Sequence, residues 1–234
     1  MKLFRWLWFV ATLGVLAEGF YVAMYVVPPD ASQGDVQRIF YYHFASWCGM
    51  GLFFLINLIC SITYLAVRNT KSALAMKADS LALAAAEIGV VYCTIGLVTG
   101  SLWGRAVWGI WWTWDPRLTS TFVLWLIYIA YLLLRRLAAG PPMRTLAAVM
   151  AIFGYVDVPI VYMSTRWWRT QHPQPVFFGG PHSGIAPSMM PAVWWNIAGW
   201  LMWGILIASL RYASAHRDQL AEEKAAQQSL EVMP

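Results

Sequence analysis

Long apolar stretches alternate with short polar segments along the 234-residue chain. A helix that crosses a bilayer needs about 20 mostly apolar residues. Windows of that size occur near residues 4 to 27, 40 to 67, 80 to 102, 118 to 139, 145 to 164 and 192 to 212. The pattern therefore predicts an all-α integral membrane protein with six transmembrane helices. We expect residues 1 to 212 to form the membrane domain and residues 213 to 234 a polar tail.

Composition supports the membrane assignment and excludes two other classes of protein. With 60% hydrophobic and 12% charged residues, the chain is too apolar for a soluble domain of this length. The formal net charge is +5, but the basic residues form no stripe that could bind nucleic acid. Three cysteines, Cys48, Cys60 and Cys93, lie inside apolar windows without metal-ligand spacing, so we interpret them as packing residues.

The distribution of Lys and Arg predicts the orientation. Six spans leave both termini on one side of the membrane. Eleven of the sixteen basic residues fall at the termini or in the even-numbered loops, and five fall on the opposite side. The positive-inside rule then places both termini in the cytoplasm. The outward-facing loops are roughly residues 28 to 39, 103 to 117 and 165 to 191. The first window is longer than a signal-peptide core and lacks a small-residue cleavage site, so we expect a retained span.

The second outward loop is unusually rich in tryptophan. Residues 103 to 120 read WGRAVWGIWWTWDPRLTS, and the indoles belong to Trp103, Trp108, Trp111, Trp112 and Trp114. Tryptophan is large and flat, with a single N–H donor. The segment therefore predicts an outward-facing platform for a flat partner. If it is helical, Trp108, Trp111 and Trp112 share one face.

Asp115 and Pro116 end this segment in a pattern typical of a helix start. Aspartate is favoured at the N-cap, and proline at the first helical position needs no backbone N–H. We therefore expect the fourth span to begin here, with Asp115 fixing the direction of the indoles that precede it.

Two histidines fall at the same predicted outer level as the tryptophans. His43 lies at the outer beginning of the second span, with Trp47 one turn further along the same face, and His172 lies just beyond the outer end of the fifth span. Neutral imidazole is a common ligand of haem iron. The pair is thus a candidate set of axial ligands in a tryptophan-lined slot. His182 is an alternative to His172, and an interfacial structural role is the alternative for each histidine.

Haem also carries propionates, which the planar guanidinium group of arginine binds well. The candidates are the outward-facing arginines Arg38, Arg105, Arg117, Arg166 and Arg169. Their alternative role is contact with lipid headgroups. Three acidic residues, Glu18, Glu87 and Asp157, lie inside predicted spans, where ionisable groups are costly and often functional.

These segments resemble a known family. GSLWG from Gly100, followed by WGIWWTWDPRLTS from Trp108, is similar to the tryptophan-rich signature of the cytochrome c biogenesis haem-handling family. The six spans and the length resemble its CcmC branch. The segments YYH ending at His43 and RWWRTQH ending at His172 match the places where that branch carries its two external haem-ligand histidines. The resemblance extends from about residue 36 to residue 172.

The resemblance implies a haem-binding and haem-transfer component rather than an enzyme. Non-covalent haem b would be held at the periplasmic surface of the inner membrane between His43 and His172, against the tryptophan-rich segment. It would pass to a periplasmic haem chaperone for cytochrome c maturation. The implied partners are that chaperone, the ABC-type ATPase and permease subunits of a maturation complex, and membrane lipid, but not nucleic acid.

Two other functions are compatible with a six-span membrane protein. A b-type cytochrome subunit that oxidises quinol would hold haem between histidines well inside facing helices, and no predicted span has an interior histidine. A permease subunit that binds no haem would be supported by the three intramembrane acidic residues. A haem absorption spectrum and a quinol-reduction assay would distinguish these functions.

Overall fold

The structure, a computed structural model, describes residues 2–137, 140–177 and 184–231. This part of the chain is helical and contains no β-strand. Six helical segments are long and apolar enough to cross a membrane. The predicted all-α, six-span fold is confirmed.

Among the described residues, seven α-helices make up the six spans, together with a π-helical turn, Val22–Val26, at the end of the first span. The seven α-helices are α1 Lys2–Tyr21, α2 Ile39–Val67, α3 Ser72–Trp108, α4 Pro116–Leu137, α5 Pro141–Tyr155, α6 Asp157–Trp167 and α7 Met190–Glu231. Helices α5 and α6 together form the fifth span, which is interrupted at Val156. Pro159 has no N–H for the carbonyl of Tyr155, so the regular hydrogen-bond ladder breaks at this point.

The third span is longer than its apolar window. Helix α3 continues to Trp108 and ends at Gly109, whose φ of 77° lies in the left-handed region that favours glycine. Residues 109 to 115 are not helical. Trp111 and Trp112 therefore do not lie on a helix, so they do not share a helical face with Trp108.

Helices α2 and α3 form the most extensive helix pair, and rings of α2 pack over glycines of α3. A Cβ on Gly89 would lie 2.4 Å from the ring of Phe54, and a Cβ on Gly96 would lie 2.7 Å from the indole of Trp47. Glycine permits this close approach. In lipid there is no hydrophobic driving force between helices, so van der Waals packing of this kind is what associates them. The packing fixes the height of each α2 ring relative to α3.

An ion-pair network connects α3, α4, α5 and α7 at the end of the bundle where α3 begins. The buried carboxylate of Asp79 accepts hydrogen bonds from Arg135 at 2.5 and 2.8 Å and from Gln219 at 2.5 Å. Arg144 pairs with Glu222 at 3.0 Å. Helix α7 thus continues beyond residue 212, and its polar part packs against the bundle at least as far as Glu222.

The acidic residues of the spans have different surroundings. Glu87 forms an ion pair with Arg211 at 2.6 Å, so it connects α3 to α7. Glu18 is exposed on α1. Asp157 has a buried carboxylate oxygen, Oδ2, that finds no hydrogen-bond partner in the described ranges. None of the three lines the cavity described next.

Candidate functional site

A mostly apolar cavity of about 270 Å³ lies where the three predicted outward loops meet. Its wall is built from the segment before α2, from α2, α3 and α4, and from the segments after α3 and after α6. The lining includes Gln33, His43, Trp47, Gly96, Gly100, Trp103, Trp108, Trp112, Arg117, Gln171 and His172. The fold thus brings together two histidines that are far apart along the chain.

His172 is held in one tautomer by the backbone. Its Nδ1 lies 2.8 Å from the carbonyl oxygen of Pro173 and therefore carries the proton that is donated to it. Nε2 retains its lone pair and makes no hydrogen bond within the described residues. Burial, followed by the nearby charge of Arg117, lowers the pKa of His172 to about 4. The imidazole is therefore neutral at pH 7.

His43 lies on the first turns of α2, with both ring nitrogens hydrogen-bonded. Nδ1 lies 2.9 Å from the hydroxyl of Thr99, and Nε2 accepts a hydrogen bond of 2.8 Å from the indole N–H of Trp47. The indole of Trp103 packs edge-on against the imidazole, with ring centroids 5.8 Å apart. His43 is thus oriented by neighbours on α2 and α3.

The five tryptophans of the predicted outward segment line two different surfaces. Trp103, Trp108 and Trp112 line the histidine cavity. Trp111 and Trp114 are 57% and 74% exposed and line a neighbouring apolar groove together with Trp112. Trp112 therefore lies between the cavity and the groove, and its Nε1 is buried without a hydrogen-bond partner among the described residues.

Of the five arginines that the sequence predicts to face outward, Arg117 lines the cavity. Its Nη1 donates to the carbonyl oxygen of Val161 at 2.8 Å, so the same side chain ties α4 to α6. Arg117 follows the helix start that the sequence predicted. Asp115 Oδ1 accepts from the backbone N–H of Leu118 at 3.0 Å, which confirms the N-cap.

The other four arginines do not line the cavity in the part of the chain that the structure describes. Arg38 donates to the carbonyls of Ala23 and Val27 at the end of the first span. Arg105 bonds the carbonyl of Gly109. The remaining two are Arg166, which lies over the ring of Tyr162, and Arg169, which is exposed.

The two other histidines are His182 and His216. His182, the alternative ligand, lies outside the described residues. His216 lies at the opposite end of the bundle, stacked on Tyr212 and 3.2 Å from the hydroxyl of Ser80. It is therefore partly buried rather than fully solvated.

Sequence reasoning did not single out several cavity residues. Gly100 makes room for His43, because a Cβ there would lie 3.0 Å from Cε1 of the imidazole. Thr99 bonds the same ring, and Gln33 accepts from Trp103 Nε1 at 2.8 Å. The small residues at 96 and 100 are one helical turn apart, a spacing typical of close helix contacts. That signal could have located the α2–α3 contact.

Comparisons with known proteins agree on one family. The family model described as CcmC, Heme exporter protein C, matches residues 1–229. Heme exporter protein C of Escherichia coli K12 is 34% identical over 211 residues, which cover 86% of this chain and 79% of that protein. Heme exporter protein C of Bradyrhizobium diazoefficiens is 38% identical over 165 residues, covering 69% of this chain and 59% of that protein.

A more distant source gives a similar match. A putative cytochrome c biosynthesis ccmC-like mitochondrial protein of Arabidopsis thaliana is 32% identical over 190 residues, covering 81% of this chain and 69% of that protein. The match of the family model covers nearly the whole chain, including both histidines and the tryptophan-rich segment. The chain belongs to the CcmC family.

Proposed function

We propose that this protein binds haem at the outer end of its helix bundle, between His43 and His172, and delivers it for cytochrome c maturation. The observation that carries the proposal is that these two imidazoles, which are far apart in the sequence, line one apolar cavity. Haem is the cargo in this scheme. The names of the relatives, Heme exporter protein C and cytochrome c biosynthesis ccmC-like protein, support the same role.

The donor set of the cavity suits such a cargo. A neutral imidazole offers one lone pair to iron, and a hydrogen bond to its other nitrogen fixes its orientation. His172 has this arrangement, with Nδ1 bonded to Pro173 and Nε2 free of described partners. Arg117 and the N–H of Trp112, which has no hydrogen-bond partner among the described residues, are donors at the same cavity. We assign them to the haem propionates ahead of the other arginines.

The size of the cavity fits delivery better than permanent storage. Its volume of about 270 Å³ is slightly below the range of ligand sites, which is roughly 300 to 1,000 Å³. A large planar ligand would therefore extend beyond it. The neighbouring groove with Trp111 and Trp114 offers apolar surface in that direction. We propose that the five tryptophans and Asp115 form the haem platform, with Trp111 and Trp114 against the part of the ring that extends beyond the cavity.

Orientation and partners complete the proposal. The excess of basic residues at the Asp79 end favours a cytoplasmic location for both termini, which puts the histidine cavity on the periplasmic side of the inner membrane. We propose that the recipient is a periplasmic haem chaperone. ABC-type ATPase and permease subunits would drive release, since the chain offers no nucleotide-binding motif that we identify.

An absorption spectrum tests the proposal. Detergent-purified protein titrated with ferric haem is expected to give the Soret and visible bands of low-spin, bis-imidazole iron. Absence of binding would refute the proposed function. Reversible reduction of the bound haem by a quinol would instead favour a b-type cytochrome. The matched control is the same titration of detergent micelles without protein.

A single methyl group at Gly100 is expected to weaken haem binding. The Cβ of Gly100→Ala would approach Cε1 of His43 to 3.0 Å, so the imidazole must shift. At this distance the imidazole has to move by a few tenths of an ångström. Displacement of a positioned group by about 1 Å can cost on the order of 100-fold in function, so we expect a loss of affinity of up to about tenfold. Gly51→Ala is the control, because no atom lies within 4 Å of its added Cβ. Equal affinities of the two variants would contradict the prediction.

A further inference from the structure

His43 and His172 differ in whether the nitrogen that could bind iron is free. The Nε2 atom of His43 accepts a hydrogen bond of 2.8 Å from Trp47 Nε1. Indole N–H is only a donor, so the imidazole nitrogen must supply the lone pair of this bond. His172 Nε2 has no such partner among the described residues. The two candidate ligands are therefore in different states in the haem-free protein.

The proton of His43 is fixed on the other nitrogen. The hydroxyl of Thr99 donates to the carbonyl of Ile95 at 2.7 Å, which leaves its oxygen to accept from His43 Nδ1 at 2.9 Å. Both bonds require the same tautomer, with the proton on Nδ1 and the lone pair on Nε2. Ligation through Nδ1 would have to break both of them. Ligation through Nε2 breaks only the bond from Trp47 and keeps Thr99 as the orienting partner.

We propose that Trp47 is a latch on His43, an inference that rests on the proposed haem-binding function. Its indole N–H occupies the lone pair of Nε2 when haem is absent and must leave it when His43 ligates iron. His172 is the ligand that is open from the start, and His43 is the one that opens on loading. The indole competes again for Nε2 during delivery, which favours release.

The position of Trp47 suits this role. It lies one helical turn after His43 on α2, and it also lines the cavity. Gly96 leaves room for the indole, since a Cβ there would lie 2.7 Å from the ring. The bond it makes is an ordinary neutral hydrogen bond. Its loss changes an equilibrium by roughly two- to tenfold, which is large enough to measure and small enough to reverse.

Chemical modification of the haem-free protein tests the latch without any haem. Diethyl pyrocarbonate acylates an imidazole nitrogen through its free lone pair, and mass spectrometry gives the rate at each histidine. At pH 7 we expect Trp47→Phe to raise the rate at His43 about three- to tenfold and to leave His172 unchanged. Trp125→Phe is the matched control, because that indole donates at 2.8 Å to Thr94 instead. Equal rates at His43 in wild type and Trp47→Phe would overturn the proposal.

Haem titration of the wild type and Trp47→Phe separates a latch from a purely structural tryptophan. If Trp47 is a latch, Trp47→Phe binds ferric haem about three- to tenfold more tightly and releases it more slowly to apomyoglobin. If Trp47 only packs the site, the smaller ring lowers the affinity, and that result would refute the latch. A protein that binds no haem would refute the proposed function. The modification rates would still show whether Trp47 blocks Nε2 of His43.

Discussion

His43→Ala and His172→Ala are each expected to abolish the bis-imidazole spectrum of bound haem. Removal of an axial ligand should weaken binding by more than about 100-fold, because loss of even a supporting partner of a ligand costs about 10- to 100-fold. Both side chains line the cavity and neither takes part in the ion-pair network, so the fold should persist. The measurements are a haem titration and a circular dichroism spectrum of each variant.

The controls for this experiment come from the chain itself. His216→Ala should leave the spectrum unchanged, because His216 contacts Ser80 and Tyr212 at the opposite end of the bundle. His182→Ala should also bind haem normally if His172 is the second ligand. Free imidazole added to His43→Gly should restore part of the low-spin spectrum. Retention of bis-imidazole haem by the His43→Ala, His172→Ala double variant would exclude the assigned ligands.

Asp79→Ala is expected to destabilise the bundle more than other single changes at its polar end. Asp79 is 2% exposed and accepts both hydrogen bonds from Arg135. Its removal leaves that guanidinium group buried without a counter-charge, which typically costs about 3 to 5 kcal/mol. The thermal unfolding midpoint in detergent should fall accordingly. The histidine cavity lies at the opposite end of the bundle, so the proposed haem affinity should change little at low temperature.

An exposed ion pair provides the comparison. Asp35 pairs with Arg38 at 2.8 Å, but its side chain is 77% exposed. Exposed pairs contribute about 0 to 1 kcal/mol, so Asp35→Ala should barely move the unfolding midpoint. Replacing both partners of the buried pair, as Asp79→Leu with Arg135→Met, should recover much of the lost stability. An unchanged midpoint in Asp79→Ala would contradict the importance of the network.

The boundaries of the spans illustrate the limits of an apolar window. The window from 80 to 102 underestimates α3, which runs from Ser72 to Trp108. The first turns of α3 pack against the bundle through Ala75 and Ala78, and they also contain the buried Asp79. A hydropathy window ends at a charged residue such as Asp79. In the structure Asp79 lies inside the helix, and its charge is compensated by Arg135. Hydropathy cannot register this compensation, since the counter-charge comes from α4.

The candidate site shows a similar division. The two histidines and the tryptophan-rich segment stood out from residue type and topology, and the helix start at Asp115 followed from local capping rules. The separation of Trp111 and Trp114 from the cavity did not, because the direction of an indole after Gly109 depends on a non-helical backbone. Nor did the selection of Arg117 among five arginines, which depends on the packing of α4 against α6.

Local sequence patterns were enough to predict a six-span membrane protein with its candidate histidines and tryptophans at one end. That is because bilayer thickness sets the length of a spanning helix, and hydropathy, charge bias and capping act over a few neighbouring residues. The state of each histidine required the folded arrangement. The Nδ1 partner of His43 is 56 residues away on α3, and the glycines that admit His43 and Trp47 belong to that same helix. Such contacts arise only when α2 and α3 pack in one register. The small residues at 96 and 100 indicate a close contact face on α3, but they specify neither the partner helix nor the register.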